Sequence, residues 1–333
     1  MTHSVTPEEL RKQIFPIEDD FAFEKIALQL FRFQASNNRF YQKYLSLLNI
    51  DPGRVKKISD IPFLPIDFFK DHTIVSSDSV CDVIFTSSGT TGVHPSRHYV
   101  VDRTLYEESF LKTFSSFYHS PAEYAFLALL PSYLERNDSS LIYMMNRFIK
   151  ESGNSDSDFY LYHDDRLKKK IERLTERKSK FILFGVSFAL LELAEQFEFD
   201  FGNNIVMETG GMKGKRKEIV REDFHSILCE KFHVTSVHSE YGMTELLSQA
   251  YSKGNGIFFS PPWMKILIRD LNDPFAGALE NKTGGINVID FANMYSCSFI
   301  ETQDLGKKNP DGSFEVLGRI DSSEIRGCNL LFQ

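Results

Sequence analysis

The chain has 333 residues, 42% of them hydrophobic and 25% charged, with a formal net charge of -8. That length can bury a large core in one to three domains, and the acidic balance excludes a nonspecific hold on nucleic acid, whose binding surfaces gather Lys and Arg. Cys81, Cys229, Cys297 and Cys328 lie far apart with no Cys-x-x-Cys pair, which excludes a zinc ribbon or disulfide framework and fits reduced thiols in a cytoplasm.

The N-terminus, Met1-Thr2-His3-Ser4, carries no apolar signal segment, and the most apolar stretch, Phe181 to Ala194, is too short to span a bilayer. No membrane span is therefore expected. Phe23, Ile26, Ala27, Leu30 and Phe31 recur at helical spacing and predict one or two amphipathic helices over Phe21 to Leu48. Pro62 and Pro65 then impose an extended segment. Strands are predicted at Cys81 to Phe85 and Arg97 to Val101, a helix over Thr104 to Phe117, a strand over Ala125 to Leu130, and a helix over Ser139 to Ile149.

A polar loop, 151–158, leads into strand and helix alternation: Phe159–Tyr162, 164–178, Phe181–Phe184, 187–197, Ile205–Met207 and 215–231. Such alternation implies βαβ crossovers and a mainly parallel sheet covered on both faces. The basic run Arg166 to Lys180 includes Ile171 and Leu174 at helical spacing, so it reads as a solvated helix face. A further strand is predicted at Val234 to Val237. Beyond Tyr251 the strands shorten, at Lys265–Arg269, Gly285–Asp290, Ser296–Ile300 and Ser313–Leu317, as in a twisted β subdomain. The 31 phenylalanines are mostly spaced like core residues.

Between the first two strands, Thr86-Ser87-Ser88-Gly89-Thr90-Thr91-Gly92 puts hydroxyls and glycines where a chain can wrap an anion. It is no Walker A loop, since no Gly-Lys-Ser/Thr follows, and alone such a run more often makes a solvated turn. Three further islands suit the same kind of ligand. Glu208-Thr209-Gly210-Gly211 follows an apolar run. Tyr241-Gly242-Met243-Thr244-Glu245 offers an aromatic face, a hydroxyl and a carboxylate within five residues. Thr302-Gln303-Asp304-Leu305-Gly306, with Gly318-Arg319-Ile320-Asp321 beyond it, supplies an acid for two ribose hydroxyls and a fixed cation.

In this order, from residue 86 to residue 321, the motifs resemble those of the adenylate-forming superfamily of acyl-CoA synthetases, firefly-type luciferases and peptide-synthetase adenylation domains. Within it, the chain is most similar to the acyl-protein synthetases of bacterial luminescence fatty acid reductase complexes. Ile61-Pro62-Phe63-Leu64-Pro65-Ile66, Leu130-Pro131-Ser132-Tyr133-Leu134-Glu135-Arg136 and Arg326-Gly327-Cys328-Asn329-Leu330 carry that narrower likeness.

The resemblance implies an α/β fold: the large N-terminal domain of an adenylate-forming enzyme, with βαβ layers and a C-terminal β subdomain, lacking the usual lid domain. The expected divisions are an N-terminal helical region over 1–75, a nucleotide-binding core over 76–250, the β subdomain over 251–318 and a hinge-like tail over 319–333. It implies ATP and Mg²⁺ as cofactors, a carboxylic, by subfamily fatty, acid as substrate, and an acyl-reductase or acyl carrier as partner.

The resemblance also distributes roles. Thr86 to Gly92 would hold the leaving phosphates, Thr244 the α-phosphate, Glu245 the Mg²⁺ and Asp304 the ribose, with Arg319 nearby. Gly210, Gly211 and Tyr241 would flank adenine, and Gly242 would be among the nucleotide-binding residues. Cys328 would accept the acyl group as a thioester. Two departures stand beside this. The phosphate loop continues Gly92-Val93-His94-Pro95-Ser96-Arg97, not Gly-x-Pro-Lys, so any cationic contact passes to Arg97 or is lost. The chain ends twelve residues after Asp321, short of the lid, which leaves CoA ligation with a partner's lid, or a noncatalytic nucleotide-binding scaffold, as alternatives.

Overall fold

Asp19 opens the first long helix by accepting the Ala22 N–H at 2.7 Å, and Asn38 ends that helix while capping the next through the Tyr41 N–H at 2.9 Å. The computed structural model describes residues 5–76, 78, 80–87, 94–131, 138–161, 165–210, 219–273, 275–278 and 282–320. The chain divides into two units: Met1–Val83 with His98–Asp102 and Phe259–Gln333, and Ile84–Arg97 with Arg103–Phe258.

The first unit begins with α1 (Pro7–Gln13), α2 (Asp20–Asn37), α3 (Arg39–Leu47), β1 (Leu64–Pro65) and α4 (Phe68–Asp71). The predicted stripe of α2 is its buried face: Phe23, Ile26, Ala27, Leu30 and Phe31 are all covered. Gln34, on the same face, donates to the carbonyls of Asn293 and Met294 at 3.1 and 2.9 Å and accepts the Ser298 N–H at 3.0 Å. A buried amide is tolerated there because its groups are paired. Next, β2 (Val83–Thr86) and β3 (Arg97–Val100) form a separate two-stranded sheet.

The second unit runs α5 (Arg103–Tyr118), β4 (Ala125–Leu129), α6 (Ser140–Ser152), β5 (Asp158–Tyr160), α7 (Asp165–Glu176), β6 (Phe181–Val186), α8 (Ser187–Gln196), β7 (Ile205–Thr209), α9 (Arg221–Phe232), β8 (His238–Tyr241), β9 (Ala250–Ser252) and β10 (Ile257–Phe259). Its strands lie in the order β10-β9-β8-β7-β6-β4-β5, and β5, β4, β6, β7 and β8 are parallel. Every residue of β4 and β6 is buried, the pattern of strands covered on both faces. Phe126 and Phe148 stack with centroids 5.5 Å apart and Phe114 lies 4.8 Å from Phe148, so these phenylalanines are core.

The first unit resumes with β11 (Met264–Arg269), β12 (Gly284–Asp290), β13 (Phe299–Lys308) and β14 (Phe314–Arg319), an antiparallel meander with β1 parallel to β13. Among the described residues, no helix is long and apolar enough to cross a membrane.

Three elements depart from the periodicity. The strand expected at Val234 to Val237 is His238–Tyr241 instead. His233 adopts a left-handed φ of 48° and the Val234 N–H returns to the Cys229 carbonyl, so that apolar run closes α9 before the ladder starts. The strand expected at 296–300 begins at Phe299 and continues to Lys308, because Ser296 N–H closes a turn onto Asn293. The helix expected from 215 is seen from Arg221, residues 211–218 lying outside the described ones.

Candidate nucleotide site

Parallel strands deliver their carboxyl ends to one edge, and open α/β sheets bind ligands there. Thr209 pairs with Glu240 in the β7/β8 register, so Gly210 and Tyr241 leave adjacent strands side by side. Two of the predicted islands are thereby brought together within the second unit.

Gly210 takes a φ of +66°, which its lack of a Cβ allows at the strand-to-turn corner. The Ser187 hydroxyl, at the start of α8, sits between the Gly210 carbonyl and the Glu208 carboxylate, the latter at 3.1 Å. Glu208 is buried and faces His225 Nε2 at 3.6 Å and Arg221 Nε at 3.8 Å. Arg221 lies over the Phe258 ring at 5.4 Å, and that ring meets Tyr241 edge-on at 6.0 Å. Arg221 thus links the Glu208 carboxylate to the Phe258 and Tyr241 rings. Gly211 lies outside the described residues.

Glu240 is buried and accepts the Thr209 hydroxyl. Burial pushes its carboxyl up to about 7, the Thr209 bond opposes that rise, and the neighbouring Glu208 charge adds to it. A Cβ on Gly242 would stand 2.4 Å from Glu240 Oε1, so any larger residue in Tyr-Gly-Met-Thr-Glu must displace that carboxyl. Thr244 and Glu245 occupy the turn that follows, Thr244 half-buried and Glu245 buried.

Of the run expected to hold phosphates, only Thr86 and Ser87 are described. The Thr86 N–H donates to the Asp138 carbonyl at 2.9 Å and its hydroxyl donates to the Asp138 carboxylate, so this first hydroxyl is held by the protein. The Ser87 N–H donates to the Ser96 carbonyl at 3.0 Å, and Ser87 Oγ accepts the Ser96 N–H at 2.9 Å. Ser88, Gly89, Thr90, Thr91 and Gly92 lie outside the described residues, and Arg97 starts β3 exposed.

In the first unit, Asp304 and Arg319 are register partners on β13 and β14, with Nε to Oδ1 at 3.7 Å. Asp304 is 14% and Arg319 83% exposed at the side chain, so solvent screens most of this attraction. Cys328 and Asp321 lie outside the described residues. The three described thiols, Cys81, Cys229 and Cys297, are all pushed up by burial, Cys297 to about 12. None of them is poised as a thiolate.

Sequence reasoning passed over Asp138, Ser187 and Glu240. Glu240 alone left a signal, an ionisable residue inside a strand directly before a glycine-containing turn.

No family model and no curated protein matches the chain. Solved structures do. ATP-bound MatB from Rhodopseudomonas palustris is 18% identical with a TM-score of 0.54, over 73% of this chain and 49% of that one. The open conformation of 2-hydroxyisobutyryl-CoA ligase, in complex with 2-HIB-AMP and CoA, is 12% identical with a TM-score of 0.64, over 92% of this chain and 72% of that one. Its postadenylation state with R3-HIB-AMP gives 13% and 0.64 over 93% and 70%. The chain spans about half the length of the MatB structure. At these identities the likeness is one of fold: a mixed α/β architecture with the layout of the ligases' large N-terminal domain.

Proposed function

We propose that the chain activates a carboxylic acid with ATP and passes the acyl group to a thiol, making an acyl-protein thioester on Cys328. The observation that carries the adenylation step is the convergence of Gly210 and the Tyr241 to Glu245 turn at the carboxyl edge of the parallel sheet, in the fold of ligases solved with ATP and with acyl-AMP. In that step a substrate carboxylate oxygen bonds to the α-phosphorus as the bond to pyrophosphate breaks. Both reactants are anionic, so the protein's task is to hold them in line and to offset charge.

In this reading Ser87 and the residues to Gly92 hold the departing pyrophosphate, with Thr86 fixed on Asp138 as the stalk of the loop. Thr244 donates to the α-phosphate, Gly210, Gly211 and Tyr241 flank adenine, and Gly242 is among the nucleotide-binding residues. Asp304 accepts the ribose hydroxyls, with Arg319 as its neighbour. Among the described residues, no group of three His, Cys, Asp or Glu could hold a metal ion by itself. A Mg²⁺ fits the remaining donor set, because this ion commonly takes one carboxylate, here Glu245, together with phosphate oxygens and water. Bound there, it would neutralise charge on the phosphates.

The second half-reaction joins the Cys328 sulfur to the acyl carbonyl carbon, AMP leaves, and the thiol proton passes to solvent. Burial raises the Cys81, Cys229 and Cys297 thiols and makes each a poorer thiolate; Cys328 is taken as the nucleophile on the resemblance. CoA as the acceptor is the second reading, favoured by the neighbour that contains both an acyl-AMP and CoA. A fatty acid, an acyl-reductase partner and a cytoplasmic setting belong to the first.

Carboxylate-dependent exchange of labelled pyrophosphate into ATP tests the adenylation step across a panel of acids. Mass spectrometry after incubation with ATP, Mg²⁺ and the best acid then finds the acceptor. An adduct on Cys328 is expected. Acyl-CoA without an adduct selects the second reading, and absence of exchange with every acid leaves a nucleotide-binding scaffold.

A further inference from the structure

The β12/β13 ladder breaks next to Asp304. Asn287 pairs with Glu301 and Gly285 with Leu305, so Ile286 alone stands opposite Thr302, Gln303 and Asp304. A bulge of this kind strips ladder bonds from the backbone and re-aims side chains. The lost bonds are replaced by side chains. Arg269 Nη1 donates to the Ile286 carbonyl at 2.9 Å and to Asn287 Oδ1 at 3.0 Å, and its Nη2 donates to the Thr302 carbonyl at 2.7 Å. The Thr302 hydroxyl donates to the same Ile286 carbonyl at 2.8 Å and accepts the Asp304 N–H at 3.2 Å.

The guanidinium reaches this position because Gly285 vacates it: a Cβ there would lie 2.3 Å from Arg269 Cζ. Arg269 is 8% exposed at the side chain, with Glu301 Oε1 at 3.5 Å from Nε as its counter-charge. A buried charge of this sort is seldom the most stabilising choice, since an apolar residue of similar volume serves stability as well. Its directional bonds to two strands give it a different use.

We propose that Arg269 is a positioning residue for Asp304, its guanidinium clamping the bulge that presents the carboxylate to the two ribose hydroxyls of ATP. The inference rests on the adenylation reading and on Asp304 as its ribose ligand. Lys cannot replace it, because a single ammonium cannot span both carbonyls in the plane the fork requires.

The test compares ATP with 2′-deoxy-ATP and 3′-deoxy-ATP in carboxylate-dependent pyrophosphate exchange, for wild type, Arg269→Lys, Thr302→Val and Asp304→Asn. Wild type should prefer ATP. Arg269→Lys should raise the KM for ATP about tenfold, change kcat by less than about threefold, and erase most of the preference for the intact ribose, as Asp304→Asn does. Thr302→Val is the milder lesion of the same clamp and carries the test if Arg269→Lys does not fold. A variant that loses activity and thermal stability together while keeping the wild-type ribose preference overturns the inference and leaves the adenylation reading standing. Wild type without exchange overturns both, and an Asp304→Asn enzyme that keeps its ribose preference overturns the inference alone.

Discussion

The Thr209 hydroxyl donates to the buried carboxyl of Glu240, tying the end of β7 to the strand that leads into the Tyr241 to Glu245 turn. That bond favours the ionised acid, yet burial prevails and the carboxyl is pushed up to about 7. The folded chain therefore holds this proton more tightly than the unfolded chain, whose value is near 4.5. Glu240 contributes most favourably below pH 4.5, and that contribution is lost as pH rises to about 7, on the order of 3 kcal/mol in all. Glu240→Gln keeps an acceptor for Thr209 and carries no charge. It should be more stable than wild type at pH 8, and the difference should vanish near pH 4. Urea melts at the two pH values check this, and a variant weaker than wild type at pH 8 refutes it.

Gly242→Ala should destabilise the protein by about 1–3 kcal/mol, the range for overpacking a filled site. Glu240 Oε1 cannot yield freely, because the other oxygen of that carboxyl is held by Thr209. In a Glu240→Ala background the same substitution should cost less, with a coupling above about 0.5 kcal/mol in a double-mutant cycle. Additive effects would show that the clash is not with Glu240.

Glu245→Gln should fold and lose exchange activity by about 100-fold or more, since the amide keeps the shape but weakens a hard-cation ligand. Raising Mg²⁺ should recover part of the rate. Wild-type exchange at ordinary Mg²⁺ would remove the metal role from this residue.

Cys328→Ser should keep carboxylate-dependent exchange and fail to retain a labelled, hydroxylamine-sensitive acyl group, because a hydroxyl is far less ionised than a thiol at neutral pH. Full labelling of the variant, or an adduct mapped to Cys81, Cys229 or Cys297, would dispose of the assignment.

The alternation of strands and helices from Phe159 onward was legible because parallel strands buried on both faces are short apolar runs between amphipathic helices. The β8 strand was not. Its residues, His238, Ser239, Glu240 and Tyr241, are largely polar, and what makes them strand-forming is tertiary: Thr209 partners Glu240, and Tyr118 lies 3.1 Å from His238 Nδ1. Arg269 shows the same limit. Nothing in Ile268-Arg269-Asp270 announces a buried cation, because the vacancy it fills is made by Gly285 on the next strand and by a bulge on the strand after that. Motif order singles out the residues proposed to face the nucleotide, while the groups that hold Tyr241 and Asp304 in place depend on contacts remote in sequence.

The interleaving of the two units sets an order of events during synthesis. Ile84 to Phe258 supplies, apart from the short excursion at His98–Asp102, a contiguous stretch whose strands and helices are all made before β11 exists. The helix α2 is made long before residues 293, 294 and 298, which its Gln34 binds, and before Phe291, whose ring stacks on Phe23 at 4.3 Å. Phe31 can pack on Tyr41 of α3 at once, at 6.1 Å, but the cover of Phe23 and the partners of Gln34 close a loop of more than two hundred residues and must wait for residues 291–298. A chain truncated before Phe291 leaves Phe23 without its stacking partner and Gln34 without its carbonyls, and should aggregate more readily than the full chain.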